Sequence, residues 1–136
     1  MMGAVLAGGE SRRMGQSKAL MDWGGQPLAE RQRQVLAAVC SHTVVVASQE
    51  NFLSLQPHFS QLIADRHGGK GPLAGIHAAL LHTVEVGLTR AMVLAVDLPG
   101  VNTTFLNWID EQFVGQSALV CRWEGREQPL CGMYSF

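Results

Sequence analysis

Met2-Gly3-Ala4-Val5-Leu6-Ala7-Gly8-Gly9-Glu10-Ser11-Arg12-Arg13-Met14-Gly15-Gln16-Ser17-Lys18 stands at the start of the chain and sets its reading. Met2 to Leu6 is apolar, too short for a helix and of the right length for a buried strand. Leu6 to Lys18, L-A-G-G-E-S-R-R-M-G-Q-S-K, then forms a glycine-rich loop at the end of that strand. Gly8 and Gly9 can take backbone angles closed to other residues and put no side chain between main chain and ligand, so several N–H groups can converge on one anion. Arg12, Arg13 and Lys18 add three cationic side chains against the one carboxylate of Glu10, although the whole chain has a formal net charge of −1. The positive charge is placed rather than general, and phosphate is the anion it suits.

Neither common glycine fingerprint is present. A Walker loop needs G-x-x-x-x-G-K-[ST], but Gly9 to Gly15 is one residue too long and Lys18 lies three further on; G-x-G-x-x-G is absent. On the glycines alone, an ordinary strand-to-helix turn with surface basic residues is an equally good reading. The full string is more specific. Leu6, Ala7, Gly8, Gly9, Ser11, Arg13, Met14, Gly15 and Lys18 follow L-A-G-G-x-S-x-R-M-G-x-x-K, which resembles the signature of the MobA-like nucleotidyltransferases. Within them it is most similar to the molybdenum cofactor guanylyltransferases.

Composition bounds the rest. A chain of 136 residues, 47% hydrophobic and 15% charged, has the size of one domain with a real core and little room for a second. Near-neutral charge argues against a general nucleic-acid binder. Cys40, Cys121 and Cys131 are widely spaced without C-x-x-C, which suggests neither a disulfide framework nor a zinc site and fits a reducing cytoplasm. Apolar runs such as Ala91 to Val96 are far below membrane-spanning length, and the start of the chain lacks a signal-cleavage pattern. The five histidines lack metal-ligand spacing. Trp23, Trp108 and Trp123 are expected in the core or at its edge.

Beyond the loop, the spacing predicts a helix from about Pro27 to Val39 with a stripe of Leu28, Arg31, Val35, Leu36 and Val39. Thr43 to Ala47 reads as a strand, Asn51 to Leu55 as a short helix before Pro57, and Leu62 to Ala64 as a strand that delivers Asp65. Asp65 to Gly75, D-R-H-G-G-K-G-P-L-A-G, is a second flexible loop with basic Arg66 and Lys70. Pro72 opens a helix through Leu73, Ile76, His77, Leu80 and Leu81, whose N-terminus suits an anion. Ala91 to Val96 reads as a central strand with Asp97 at its carboxyl end, where open α/β sheets bind ligands. From the strand alone, Asp97 as a Mg²⁺ ligand and Asp97 as a cap of the turn into a helix at Thr103 to Phe113 weigh equally. Ala118 to Trp123 and Gln128 to Tyr134 read as a hairpin.

Strands alternating with helices make a mainly parallel three-layer α/β/α sheet with right-handed crossovers the natural architecture, with an antiparallel element near the C-terminus. The resemblance implies the same Rossmann-like nucleotidyltransferase fold. Gly71 to Gly75, G-P-L-A-G, is a second match to the guanylyltransferase pattern, Asp65 stands where that family has a nucleotide-binding aspartate, and the D-x-P of Asp97 to Pro99 resembles the family's magnesium aspartate. The activity implied is transfer of GMP from GTP to molybdopterin with release of pyrophosphate, dependent on Mg²⁺. Leu6, Ala7, Gly8, Gly9, Lys18, Asp65, Gly71, Pro72 and Leu73 would hold the nucleotide; Arg13, Lys18 and Asp97 would be catalytic, with Asp97 the metal ligand. GTP and molybdopterin are then the substrates, and molybdenum cofactor pathway proteins the implied partners.

Two departures accompany the match. The sequence stops at Phe136 where the family continues with further elements, including an Asn-rich segment, and Val46-Ala47-Ser48 lacks the asparagine that guanylyltransferases commonly place there. Gly8-Gly9 and Gly71-Pro72-Leu73 resemble the guanylyl branch, the cytidylyl branch usually having A-G at the first site. A CTP-dependent or sugar-phosphate nucleotidyltransferase of the same fold and a non-catalytic, truncated nucleotide-binding protein stay open as alternatives.

Overall fold

The computed structural model describes residues 1–8 and 17–136. Strand β1 (Met2–Leu6) is followed by a 3-10 turn (Lys18–Leu20), a two-residue ribbon of β2 (Asp22–Trp23) and β3 (Gln26–Pro27), and helix α1 (Leu28–Ala37). Then come β4 (His42–Ala47), α2 (Gln49–Leu55), β5 (Leu62–Ala64), α3 (Pro72–Glu85), β6 (Arg90–Ala95), α4 (Thr103–Gln112), β7 (Ala118–Trp123) and β8 (Arg126–Ser135). The main sheet has the order β5-β4-β1-β6-β8-β7, with its first four strands parallel and β8 antiparallel to both β6 and β7. The mixed α/β architecture expected from the order of elements is the one observed.

All five residues of β1 are buried, as are the last four of β4 and the last five of β6, because helices cover both faces of this half of the sheet. Val5, Val45, Met92 and Leu94 pack with Leu28, Ala29 and Leu36 of α1, Leu55 of α2, and Leu106 and Ile109 of α4. Ala4, Leu6, Val44, Val46, Ala91 and Val93 pack on the other side with Ile76, Ala78 and Ala79 of α3. Each fully buried aliphatic side chain of this kind contributes about 1.5–3 kcal/mol relative to exposure. Connections from β1 run outward through α1 and α2 on one face. The connection from β5 returns through α3 on the other to reach β6, so the winding reverses between β1 and β6. Ligands bind open α/β sheets at that switch.

Several boundaries match the sequence reading, including β5, β7 and the opening of α3 with Pro72 in its first turn. Others shift. Helix α1 starts at Leu28 with Pro27 as its cap residue, and its fully buried positions are Leu28, Ala29, Gln32 and Leu36; Arg31, Val35 and Val39 are only half-buried. The tryptophans are a correction, because Trp23, Trp108 and Trp123 are 45%, 53% and 70% exposed. Trp23 lies in the small ribbon outside the main sheet and Trp123 at the tip of the edge strand β7, while α4 buries Leu106 and Ile109 and leaves Trp108 on the face stacked with Phe105. The β7–β8 turn at Glu124-Gly125 has positive φ at both residues, as a type I′ hairpin turn requires. Among the described residues no helix is long and apolar enough to cross a membrane.

Candidate functional site

The hydrogen-bond ladder of the sheet continues past the carboxyl ends of its parallel strands. Ala7 N–H donates to Val46 O at 2.8 Å, Asp65 N–H to Ala47 O at 2.8 Å, and Val96 N–H to Leu6 O at 3.1 Å. The loops after β1, β4, β5 and β6 thus leave one edge in mutual register. Between them lies a cleft lined by Leu6, Ala7, Gly8, Lys18, Asp65, Gly71, Pro72 and Asp97. These are eight of the positions singled out in the sequence. Gly9 and Arg13 lie outside the described residues. Leu73 is 71% exposed and is not part of the cleft lining.

Each cleft residue is held for a local reason. A Cβ on Gly8 would come within 3.2 Å of the Ser48 nitrogen, so the loop crosses the end of β4 closely enough that a side chain would have to push the backbone there aside. Gly8 is not among the glycines with positive φ, and its role is to allow close approach, which differs from the backbone freedom expected of it. Gly71 does need that freedom: at φ 62° and ψ −151° it turns the chain into α3, and Pro72 follows in the first turn. Lys18 opens the 3-10 turn, where the Ser17 hydroxyl accepts from the Ala19 N–H at 3.3 Å and Ala19 is fully buried. The Leu28 N–H donates to Met21 O at 2.8 Å and ties this segment to α1.

Among the described residues the cleft contains two carboxylates, in contrasting settings. Asp65 is 8% exposed, and its Oδ1 is buried without a hydrogen-bond partner among the described residues. Leaving such an acceptor unsatisfied costs about 1–3 kcal/mol, so this atom calls for a donor from a ligand. Asp97 is more open, with Oδ2 at 3.9 Å from Lys18 Nζ and the two side chains 57% and 46% exposed. The helix α4 is capped by Asn102, whose side chain accepts from the Phe105 N–H at 2.9 Å. Capping of α4 therefore does not account for Asp97, and its carboxylate faces the cleft. Among the described residues no three His, Cys, Asp or Glu side chains cluster as a metal cage. A lone exposed carboxylate fits Mg²⁺ only in the manner that magnesium commonly uses with nucleotides, one protein oxygen plus phosphate oxygens and water.

The basic residues of the second loop do not join this group. Arg66 donates to Glu85 Oε1 at 2.7 Å on the surface, and that bond holds the Glu85 carboxyl below its ordinary range. Lys70 is exposed and does not line the cleft. Among the described residues the remaining lining comes from Val46, Ala47, Gly75, Ala95, Val96 and Leu130. Leu130 is not legible as a cleft residue from the sequence, because its position follows from β8 pairing against β6, with Cys131 opposite Leu94, and no local signal gives that pairing. Ala47, the position without the expected asparagine, lines the cleft with a methyl group.

A second concavity of about 1120 Å³ lies between α4 and the β7–β8 hairpin, lined by Phe105, Trp108, Leu119, Cys121, Trp123 and Cys131 among others. Its two sulfurs share a hydrogen bond at 3.8 Å. Once Cys121 is a thiolate, Cys131 is the donor; this lowers Cys121 to about 7 and pushes Cys131 well above the ordinary thiol range.

The chain and its fold are similar to known proteins. Probable molybdenum cofactor guanylyltransferases from Opitutus terrae and Pelotomaculum thermopropionicum are 38% and 36% identical over 134 residues, covering 97% and 98% of this chain. The chain spans only 65% and 62% of the length of those relatives. The crystal structure of molybdopterin-guanine dinucleotide biosynthesis protein A from Archaeoglobus fulgidus is 31% identical and superposes with a TM-score of 0.78, covering 99% of this chain and 67% of that one. Residues 3–136 match the family model described as the MobA-like NTP transferase domain, and the chain belongs to that family.

Proposed function

We propose that this chain binds GTP and transfers its guanylyl group to the phosphate of molybdopterin, releasing pyrophosphate. The observation that carries the reading is the meeting, at the switch between β1 and β6, of the Lys18–Asp97 pair with the unpaired acceptor of Asp65. A cation for phosphate, a carboxylate for magnesium and a buried acceptor for a base N–H or ribose hydroxyl are what a nucleoside triphosphate demands. The relatives' names, together with Gly8-Gly9 and Gly71-Pro72-Leu73, favour guanine over cytosine.

In this reading the loop amides after Gly8, with Arg13 and Lys18, hold the triphosphate and offset the charge that grows on the leaving pyrophosphate. An oxygen of the acceptor phosphate bonds to the α-phosphorus while the bond from that phosphorus to the bridging oxygen breaks. No protein nucleophile takes part, and the protein acts by positioning and electrostatics. Mg²⁺ held by Asp97 and the triphosphate would neutralise phosphate charge. Asp65 accepts from the nucleoside and fixes its orientation. Residues 1–136 form a single catalytic domain in this reading, and the further elements that the longer relatives possess would complete the acceptor's side of it.

Calorimetric titration of GTP with and without Mg²⁺, with CTP as control, tests the binding. Expected is Mg²⁺-strengthened binding of GTP in preference to CTP. Equal binding of both nucleotides would remove the guanylyl assignment, and GTP binding without transfer to molybdopterin would leave a nucleotide-binding protein in place of an enzyme.

A further inference from the structure

Gln32 lies in the middle of α1 and is fully buried, although glutamine is mostly a surface residue. Its Nε2 donates to Leu98 O at 2.8 Å and to Ala95 O at 3.3 Å. Its Oε1 accepts from Arg31 NH1 at 2.6 Å, and the same Arg31 nitrogen donates to Val101 O at 3.0 Å. Three carbonyls, on both sides of Asp97 and at the far end of its loop, are thereby gripped by two neighbouring side chains of one helix. The loop's own bonds, Leu98 N–H to Ala95 O at 3.4 Å and Val101 N–H to Leu98 O at 3.2 Å, are both longer than the bonds that α1 makes to Leu98 O at 2.8 Å and Val101 O at 3.0 Å. The donors that fix the loop thus come from α1, whose Leu28 and Leu36 anchor it in the core.

We infer that Gln32 and Arg31 are positioning residues that hold the Asp97 loop in the geometry needed to bind a metal–nucleotide complex. The inference rests on the role proposed above for Asp97 and adds residues that are not part of the cleft lining. A carboxylate on an ungripped loop would spread over several orientations, and one that shares a metal with phosphates loses affinity when its position is loose. Nucleotide contacts made elsewhere in the cleft, at Asp65 and Gly71, do not pass through this grip.

The test uses Gln32→Met, which keeps the length and removes both donors, and Arg31→Met at a half-buried position where folding is retained even if the first variant folds poorly. Hydrogen exchange of the nucleotide-free proteins is compared at the Leu98 and Val101 amides and at Val5 and Val45 in the central strands. Mn²⁺, the probe metal, is titrated in the presence of GTP, and GTP is titrated without metal. Expected are exchange about tenfold faster at Leu98 and Val101 with the central strands within twofold, Mn²⁺ affinity about tenfold weaker, and metal-free GTP affinity within twofold. Unchanged exchange at the loop in both variants, or a parallel rise in exchange throughout the sheet, would overturn the inference. So would equal losses of Mn²⁺ and metal-free GTP affinity. If the wild-type chain itself shows no metal-dependent GTP binding, the guanylyl-transfer reading falls, and with it the purpose assigned to the grip, whatever the loop's exchange shows.

Discussion

At the carboxyl ends of β5, β4, β1 and β6, four loops leave in register and bring Lys18, Asp65 and Asp97 into one polar cleft. Between α4 and the β7–β8 hairpin, the same sheet instead presents a broad apolar groove with Trp108 and Trp123 more than half exposed. The two regions differ in how the chain enters them. Parallel strands with helical crossovers send each loop that leaves a strand's carboxyl end to the same edge, so residues far apart in sequence meet there. An antiparallel hairpin alternates its ends, and it contributes surface and a single cleft residue, Leu130. Charged chemistry therefore concentrates where parallel strands stop, whatever the area of exposed apolar surface elsewhere.

Substitutions put that contrast to the test. Asp97→Ala is expected to lower the proposed guanylyl transfer about a thousandfold in a steady-state assay while leaving the melting temperature near wild type, since its side chain is 57% exposed. Lys18→Ala is expected to cost about a hundredfold in the same assay. For stability the order reverses between regions. Leu94→Ala, in the buried centre of β6, should destabilise by about 3 kcal/mol in urea, whereas Trp123→Ala in the groove should change stability by no more than about 0.5 kcal/mol. A large loss at Trp123 would contradict the contrast, because it would mean that the groove is a packed part of the fold.

Smaller effects follow at the margins of each region. Gly8→Ala places a methyl group against Ser48 and should weaken GTP binding by about 1 kcal/mol, read by calorimetry. In the groove, Cys121 should be alkylated by iodoacetamide with a rate that rises through about pH 7 and falls below it, as the thiolate is lost to protonation. Cys131→Ala removes the donor to that thiolate and should move the midpoint upward toward the ordinary thiol range. Cys40, raised by burial to about 12, should stay unmodified in the folded protein.

Much of the cleft is legible in the sequence because its residues sit in short local patterns. An apolar run followed by a carboxylate places Asp97, and glycine with proline places the turn into α3 at Gly71 and Pro72. The rest depends on pairings that no local pattern carries. Leu130 reaches the cleft only because β8 lies beside β6. Gln32 is absent from the stripe of Leu28, Arg31, Val35, Leu36 and Val39, yet it stands four residues after Leu28 and four before Leu36, on the buried face. A polar residue at that spacing is a readable sign of a buried hydrogen-bonding role. The tryptophans fail for the opposite reason, since size and apolarity argue for burial and say nothing of the edge strand and outer helix face where Trp123 and Trp108 stand.

The place of β8 also bears on the order in which the chain can fold. It comes after both of its neighbours in sequence, yet it lies between them in the sheet, with Phe136 N–H bonded back to Thr89 O beside the start of β6. During synthesis the four parallel strands have all emerged by residue 95 and α4 can cover them by residue 112, but one edge of β6 keeps its amides and carbonyls open until residues 126–135 arrive. That edge belongs to the apolar Arg90–Ala95 strand, a ready template for pairing with another nascent chain. Speed of closure by β8 therefore decides how long the growing protein is exposed to aggregation.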